Sequence, residues 1–374
     1  MPDSATLFPW ARLLSQEPPW RRKADLRAGP ATGEPFHRLY NSAPAGRRPL
    51  STRSLEGLPV PLLQFSRLRK AYATTVAVDD VTFEVRPGEV FGLLGPNGAG
   101  KTSLLRMLID IMAPDAGEIL FDGRPLGPAE RERIGYLPEE RGLYRKEKVV
   151  DILIYFGMLK GLSRRSARER ALRWLDRVGL QGVANRRAES LSKGMQQKVQ
   201  IAGTLLHDPQ ILVMDEPFSG LDPLNTVLVK EILRERREAG ALVILSTHQM
   251  PMVEELCDRV AMIDRGRLVL YGDLEEIRRA HGGSAVLVGT DADLAGLPPV
   301  AAVERQGGLR KVWLREGARP RDLMAIIEER RIPIDHFEVA RMSVEEIFVT
   351  TVRARAADPA APPVVAAAAA GGKA

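Results

Sequence analysis

The chain has 374 residues, of which 44% are hydrophobic and 27% charged, with a formal net charge of +6 and one cysteine, Cys257. That length admits one large or two medium domains. A single cysteine excludes an intrachain disulfide, and no apolar run approaches the ~18 residues of a membrane span. Residues 1–60 hold nine Lys/Arg against five Asp/Glu. The remainder is therefore close to neutral and lacks the basic field of a nucleic-acid surface, so no nucleic-acid partner is expected.

Residues 1–58 are rich in Pro and Arg ("EPPWRRK", "SAPAGRRPLS") and show no sustained period. They read as a disordered basic extension, and the absence of a continuous apolar core there argues against a secretory signal peptide. Order is expected from near Val60. "VTFEV" (81–85) alternates like a half-buried strand, and "EVFGLLG" (89–95) is a strand entering a Gly-rich turn. A helix over 102–112 follows, and 148–180 reads as helical. "LSKGMQQKVQ" (191–200) opens an amphipathic helix, with Met195, Val199, Ala202 and Leu206 on one face. "QILVMDE" (210–216) and "ALVILSTH" (241–248) are continuous apolar runs typical of strands buried on both faces of a parallel sheet. Residues 260–272 read as a hairpin around Asp264-Arg265-Gly266, and a helix then runs to the Gly282-Gly283 pair. From 283 to 353 the pattern becomes that of a small α+β domain: three strands, a helix with Pro320 in its first turn, a strand at 335–340 and a final helix at 343–352. Residues 354–374, rich in Ala and Pro, read as a disordered tail.

Gly95 to Thr102 fits G-x-x-x-x-G-K-[ST] between a predicted strand and a predicted helix, the context that makes the pattern a phosphate loop. The glycines let backbone N–H groups approach phosphate oxygens, and the helix N-terminus adds favourable electrostatics. Lys101 reaches the β- and γ-phosphates in such a loop, and Thr102 ligates Mg²⁺. Asp215 ends a buried apolar strand, where a further carboxylate of the Mg²⁺ shell belongs. Glu216, next to it, is the candidate to orient and activate the attacking water. His248 ends a neighbouring strand, with a γ-phosphate hydrogen bond as its natural role. Ser192 and Gly194 open a second helix suited to phosphate, a duplication that one site does not require.

With these pieces in order, the chain resembles the ATP-binding cassette (ABC) family of transport ATPases over about 62–282. The resemblance implies a P-loop α/β fold with a RecA-like core sheet, an antiparallel β subdomain and a helical subdomain near 140–190, the whole spanning 59–282. Tyr72 matches the aromatic position that stacks on adenine. Gly95, Pro96, Asn97, Gly98, Ala99, Gly100, Lys101, Thr102 and Ser103 form the Walker A segment. "GYLPEE" (135–140) sits at the Q-loop, where Glu139 replaces the usual Gln and is assigned to nucleotide and Mg²⁺. "LSKGM" matches the signature, with Lys193 for the usual Gly and Met195 for the usual Gln. "ILVMDEP" is Walker B, "SGLD", ending at Asp222, is the D-loop, and His248 is the switch histidine. In this family two copies pack head to tail, so that Ser192, Gly194 and Met195 of one meet the ATP held by the other. The implied cofactors are ATP and Mg²⁺, and the implied partners are a second copy and a membrane permease. "GYLPEERGLY" and the closing "MSVEEIFV" are similar to the branch containing the sodium-efflux ATPases, which drive ABC-2-type permeases from the cytoplasmic face. The competing reading is a soluble ABC ATPase of translation or DNA repair. It fits poorly, because the chain has one cassette and no sustained heptads between Lys101 and Ser192.

Overall fold

The computed structural model describes residues 62–140, 142–281, 285–315, 317–340, 342–357 and 363–365. The 1–58 extension and most of the 354–374 tail lie outside the described residues.

The first elements are β1 (Leu63–Tyr72), β2 (Thr75–Val85), β3 (Val90–Leu94), α1 (Lys101–Leu108), β4 (Ala116–Phe121), β5 (Arg124–Pro125) and β6 (Ile134–Leu137). A helical region follows, with α2 (Val149–Leu159), α3 (Arg164–Arg177) and α4 (Lys193–Leu205). The chain then alternates through β7 (Ile211–Asp215), α5 (Pro223–Glu238), β8 (Leu242–Ser246), α6 (Met250–Leu256), β9 (Arg259–Asp264), β10 (Arg267–Asp273) and α7 (Leu274–His281). Two sheets result. One is antiparallel, in the order β2-β1-β4-β5. The other runs β10-β9-β3-β8-β7-β6, parallel except for the β9–β10 hairpin.

Every residue of β3, β7 and β8 is buried, which is why these strands read as unbroken apolar runs. Their side chains alternate between two cores. Phe91, Leu93, Leu242 and Ile244 face α1 and the antiparallel sheet, whereas Val90, Leu94, Val243 and Leu245 face the helical side. Phe83 of β2 joins the two sheets, stacking on Phe65 at 4.2 Å and on Phe91 at 5.3 Å between ring centroids. The helix expected over 102–112 stops at Leu108, because Asp110 takes a left-handed turn at φ 62°.

The C-terminal part contains β11 (Ala285–Gly289), β12 (Val300–Gln306), β13 (Leu309–Leu314), α8 (Pro320–Glu329), β14 (His336–Val339), α9 (Val344–Ala357) and β15 (Val364–Val365). Its antiparallel sheet has the order β12-β13-β11-β14 and its own core around Val286, Val312, Leu323 and Ile327. The last helix does something else. Val344 and Ile347 of α9 join the cluster of Val253 and Leu256 in α6 and Ile277 in α7. Val344 N donates to Glu254 Oε1 at 2.6 Å, and Arg355 Nη1 donates to the Leu268 carbonyl at 2.8 Å. The disordered tail expected from 354 is corrected here. Helix α9, built from good helix formers in "RARAA", runs to Ala357, and β15 adds to the open edge of β10 in parallel register.

Candidate functional site

The turn between β3 and α1 is shaped by close backbone approach. Gly95, Gly98 and Gly100 take φ of 146°, 79° and 109°. A Cβ on Gly95 would sit 2.1 Å from the Ile263 carbonyl oxygen, and one on Gly100 2.2 Å from that of Ala77. Two of the three glycines are thus fixed by neighbouring backbone as well as by conformation. Ala99 N donates to the Pro96 carbonyl at 3.2 Å and closes the turn, leaving Pro96, Asn97 and Gly98 exposed. Lys101 is folded into the empty loop, its Nζ donating to the carbonyls of Gly95 at 2.7 Å and Pro96 at 3.1 Å. Burial pushes its pKa down, while the charges of Glu216, Asp215 and Glu139 hold it up. Tyr72, at the end of β1, stands beside the start of α1. Its hydroxyl lies 3.5 Å from Ser103 Oγ and donates to Met112 Sδ at 3.3 Å, and the residue is about half exposed.

Asp215, the last residue of β7, is 2% exposed and accepts from Thr102 Oγ1 at 3.5 Å. Burial raises its pKa, and Glu139 and Glu216 raise it further. In the window between its ordinary value and the raised one, the unfolded chain binds fewer protons than the folded one, so stability falls as pH rises. Asp215→Asn removes that penalty. The free protein should then melt higher at pH 7 than wild type, by about 2–4 °C for each kcal/mol relieved. Thermal scans without nucleotide at pH 5 and pH 7 check this, and a variant that melts lower at pH 7 would contradict it.

Glu216 follows at φ 49°, a left-handed conformation unusual for a residue with a side chain. The carboxylate is held by the end of β8. Oε2 accepts from Thr247 Oγ1 at 3.1 Å, and Oε1 accepts from His248 N at 2.9 Å and lies 2.6 Å from His248 Nδ1. A neutral His248 that donates Nδ1–H to Glu216 has only an acceptor at Nε2. To donate to a phosphate oxygen, the ring must gain a proton or leave Glu216. Thr247, fully buried, was not among the sequence candidates. Its one signal is its place beside His248 at a strand end.

The second helix start is placed elsewhere. Ser192 caps α4, accepting from Met195 N at 3.3 Å, and Met195 packs on the helical-side core. Gly194 lies against the loop after Walker B, where a Cβ on it would be 3.4 Å from the Gly220 carbonyl oxygen. Gln197 Nε2 donates to the Pro217 carbonyl at 3.2 Å. Asp222 caps α5, accepting from Asn225 N at 2.9 Å, and these bonds hold its pKa below the usual range. Among the described residues, no group of three or more His, Cys, Asp or Glu is placed to hold a metal. The hydroxyl of Thr102 beside the Asp215 carboxylate is instead the partial oxygen set that Mg²⁺ completes with phosphates and water.

Residues 78–219 match the ABC transporter family, and residues 272–352 match the C-terminal domain of DrrA1-3-like ATP-binding proteins. The chain is 37% identical over 297 residues to the ABC transporter ATP-binding protein YhaQ of Bacillus subtilis, an alignment covering 78% of this chain and 99% of that one. The chain belongs to the ABC transporter ATP-binding proteins. It is also 39% identical over 229 residues to Nod factor export ATP-binding protein I of Cupriavidus metallidurans, covering 60% of this chain and 76% of that one. The solved structure of an ATP-binding subunit of an ABC transporter aligns with a TM-score of 0.55 and 34% identity, over 59% of this chain and 93% of that one. The cassette is therefore an ATPase of the transport class, and the α+β unit after it has a family of its own. No helix among the described residues is long and apolar enough to cross a membrane.

Proposed function

We propose that the chain is the ATP-hydrolysing motor of an ABC-2-type exporter, acting as a pair of copies beneath a separately encoded permease on the cytoplasmic face of the membrane. The division of the site supports this reading. The phosphate loop, Asp215, Glu216 and His248 gather at one edge of the central sheet, whereas the Ser192 helix start rests on the 217–222 loop. Each ATP is then completed by Ser192 and Gly194 of the second copy, through helix N-terminal N–H groups.

In this reading the backbone from Gly95 to Ser103 wraps the phosphates and Lys101 leaves its two carbonyls to reach them. Tyr72 stacks on adenine. Thr102, Asp215 and Glu139 would hold Mg²⁺, which neutralises charge on the β- and γ-phosphates when bound. Glu216 orients the water, and its contact with His248 keeps it in place until nucleotide draws the histidine across.

A groove of about 400 Å³ between β6, α2 and α4, lined by Tyr136, Tyr155, Phe156 and Leu159, is the surface we assign to the permease. Met158 and Leu159 stand exposed beside it. The DrrA-like C-terminal domain and the likeness to a Nod factor exporter favour an organic amphiphile as cargo over sodium, the ion that the branch resemblance suggests.

The test is a pull-down of tagged Glu216→Gln protein from gently solubilised native membranes with ATP. A co-purifying polytopic permease is the expected result. Recovery with ribosomes or DNA-repair factors alone would move the function to the soluble class. Once the permease is in hand, export assays with Na⁺ and with amphiphilic drugs separate the two cargoes.

A further inference from the structure

A cavity of about 530 Å³ opens beside the phosphate loop. Gly95, Pro96 and His248 form one wall. The rest is largely apolar: Met250, Pro251 and Met252 of α6 face Phe348 and Val349 of α9, with Glu345 at the same wall. The C-terminal helix therefore completes a depression that the cassette alone would leave open.

The same chain carries an apolar knob that nothing covers. Leu224 is 83% exposed and Val227 51% exposed. They lie three residues apart on α5 and so share one helix face. Exposed side chains of this size, paired on one face, suit a contact surface.

We infer that in the ATP-bound pair each copy seats Leu224 and Val227 in the cavity of the other, so that α9 of the C-terminal domain is part of the dimer interface. The inference rests on the head-to-tail dimer proposed above. Its geometric ground is rigid continuity. Gly194 at the second helix start lies against Gly220, and Asp222, two residues on, caps α5. The Ser192 helix start and the Leu224–Val227 face thus belong to one surface. When that surface brings Ser192 to the partner's phosphate loop, it brings Leu224 beside the partner's Gly95, Pro96 and His248, which are the wall of the cavity. A C2 axis repeats the contact, placing two knobs in two cavities. The C-terminal domain then favours the closed pair through α6, the helix that begins two residues after His248.

The test uses full-length Glu216→Gln protein carrying both Leu224→Cys and Val349→Cys, treated with a short bis-maleimide with and without Mg-ATP. Both positions are exposed, and native Cys257 is buried. A covalent dimer that needs ATP and both cysteines is expected. If sedimentation shows the ATP-dependent dimer but cross-linking stays at the single-cysteine level, the cavity assignment is wrong while the dimer stands. If Glu216→Gln stays monomeric with ATP, the dimer reading fails and takes this one with it. In a second measurement, Leu224→Asp in the Glu216→Gln protein should leave monomer ATP binding intact and weaken ATP-dependent dimerisation about 10- to 100-fold, the loss expected for one buried Leu. An unchanged dimer affinity overturns the inference.

Discussion

Glu216→Gln should bind ATP normally, lose turnover by about 10²- to 10⁴-fold, and accumulate as an ATP-bound dimer. The size of the loss follows from what Gln keeps. Its amide oxygen can still accept from His248 N, and the Thr247 hydroxyl can reverse its role and accept from the amide nitrogen. The strained backbone at φ 49° is unchanged, so the side chain stays in place. What disappears is the capacity to take a proton from water and the negative charge beside Asp215. The substitution therefore isolates base catalysis from architecture. Single-turnover hydrolysis with sedimentation in the same buffer reads both halves. A variant that turns over at the wild-type rate as a monomer would remove Glu216 from the chemistry, and Asp215 would then be the carboxylate to examine.

Much of this site is legible in the sequence because its parts are local. The Gly95–Thr102 spacing fixes a strand–turn–helix, and β7 and β8 announce themselves as apolar runs because both faces of the sheet are covered. Other features depend on distant partners. Thr247 gains its meaning only when β8 lies beside β7, which brings it to Glu216, 31 residues away. Strand β1 shows no clean alternation because bulges interrupt its pairing with β2 after Phe65 and Leu68. The docking of α9 is invisible in the sequence, since Glu254 and Val344 are 90 positions apart. Residues 364–365 become a strand only because β10 offers an edge. Ser192 shows the opposite difficulty. Its sequence reads equally as a helix cap and as a phosphate contact, and within one chain it acts as the cap.

Lys101→Ala should lose ATP binding itself, by about 10²-fold or more, and hydrolysis with it. The residue is 8% exposed and is the cation on which the charges of Glu216, Asp215 and Glu139 act together. Without it, an incoming triphosphate meets those carboxylates with no ammonium between them. Each charge-assisted hydrogen bond to a phosphate is worth about 1.5–3 kcal/mol, so losing one or two accounts for the fold-change. The free protein should suffer little, because the two carbonyls that Nζ satisfies lie at the mouth of an open loop and water can replace it. Burial already disfavours the charged form of Lys101, so its removal also relieves a desolvation penalty. Titration with a fluorescent ATP analogue, set beside a thermal scan of the empty protein, separates the two effects. A variant that binds ATP as wild type does would place the principal phosphate contact on the backbone of 95–100 alone. One that loses binding together with its melting transition would make Lys101 a strut of the loop. The contrast with Glu216→Gln is the sharpest check on the whole site: binding lost without unfolding at one position, and binding kept without hydrolysis at the other, are outcomes that a purely structural role for either residue does not produce.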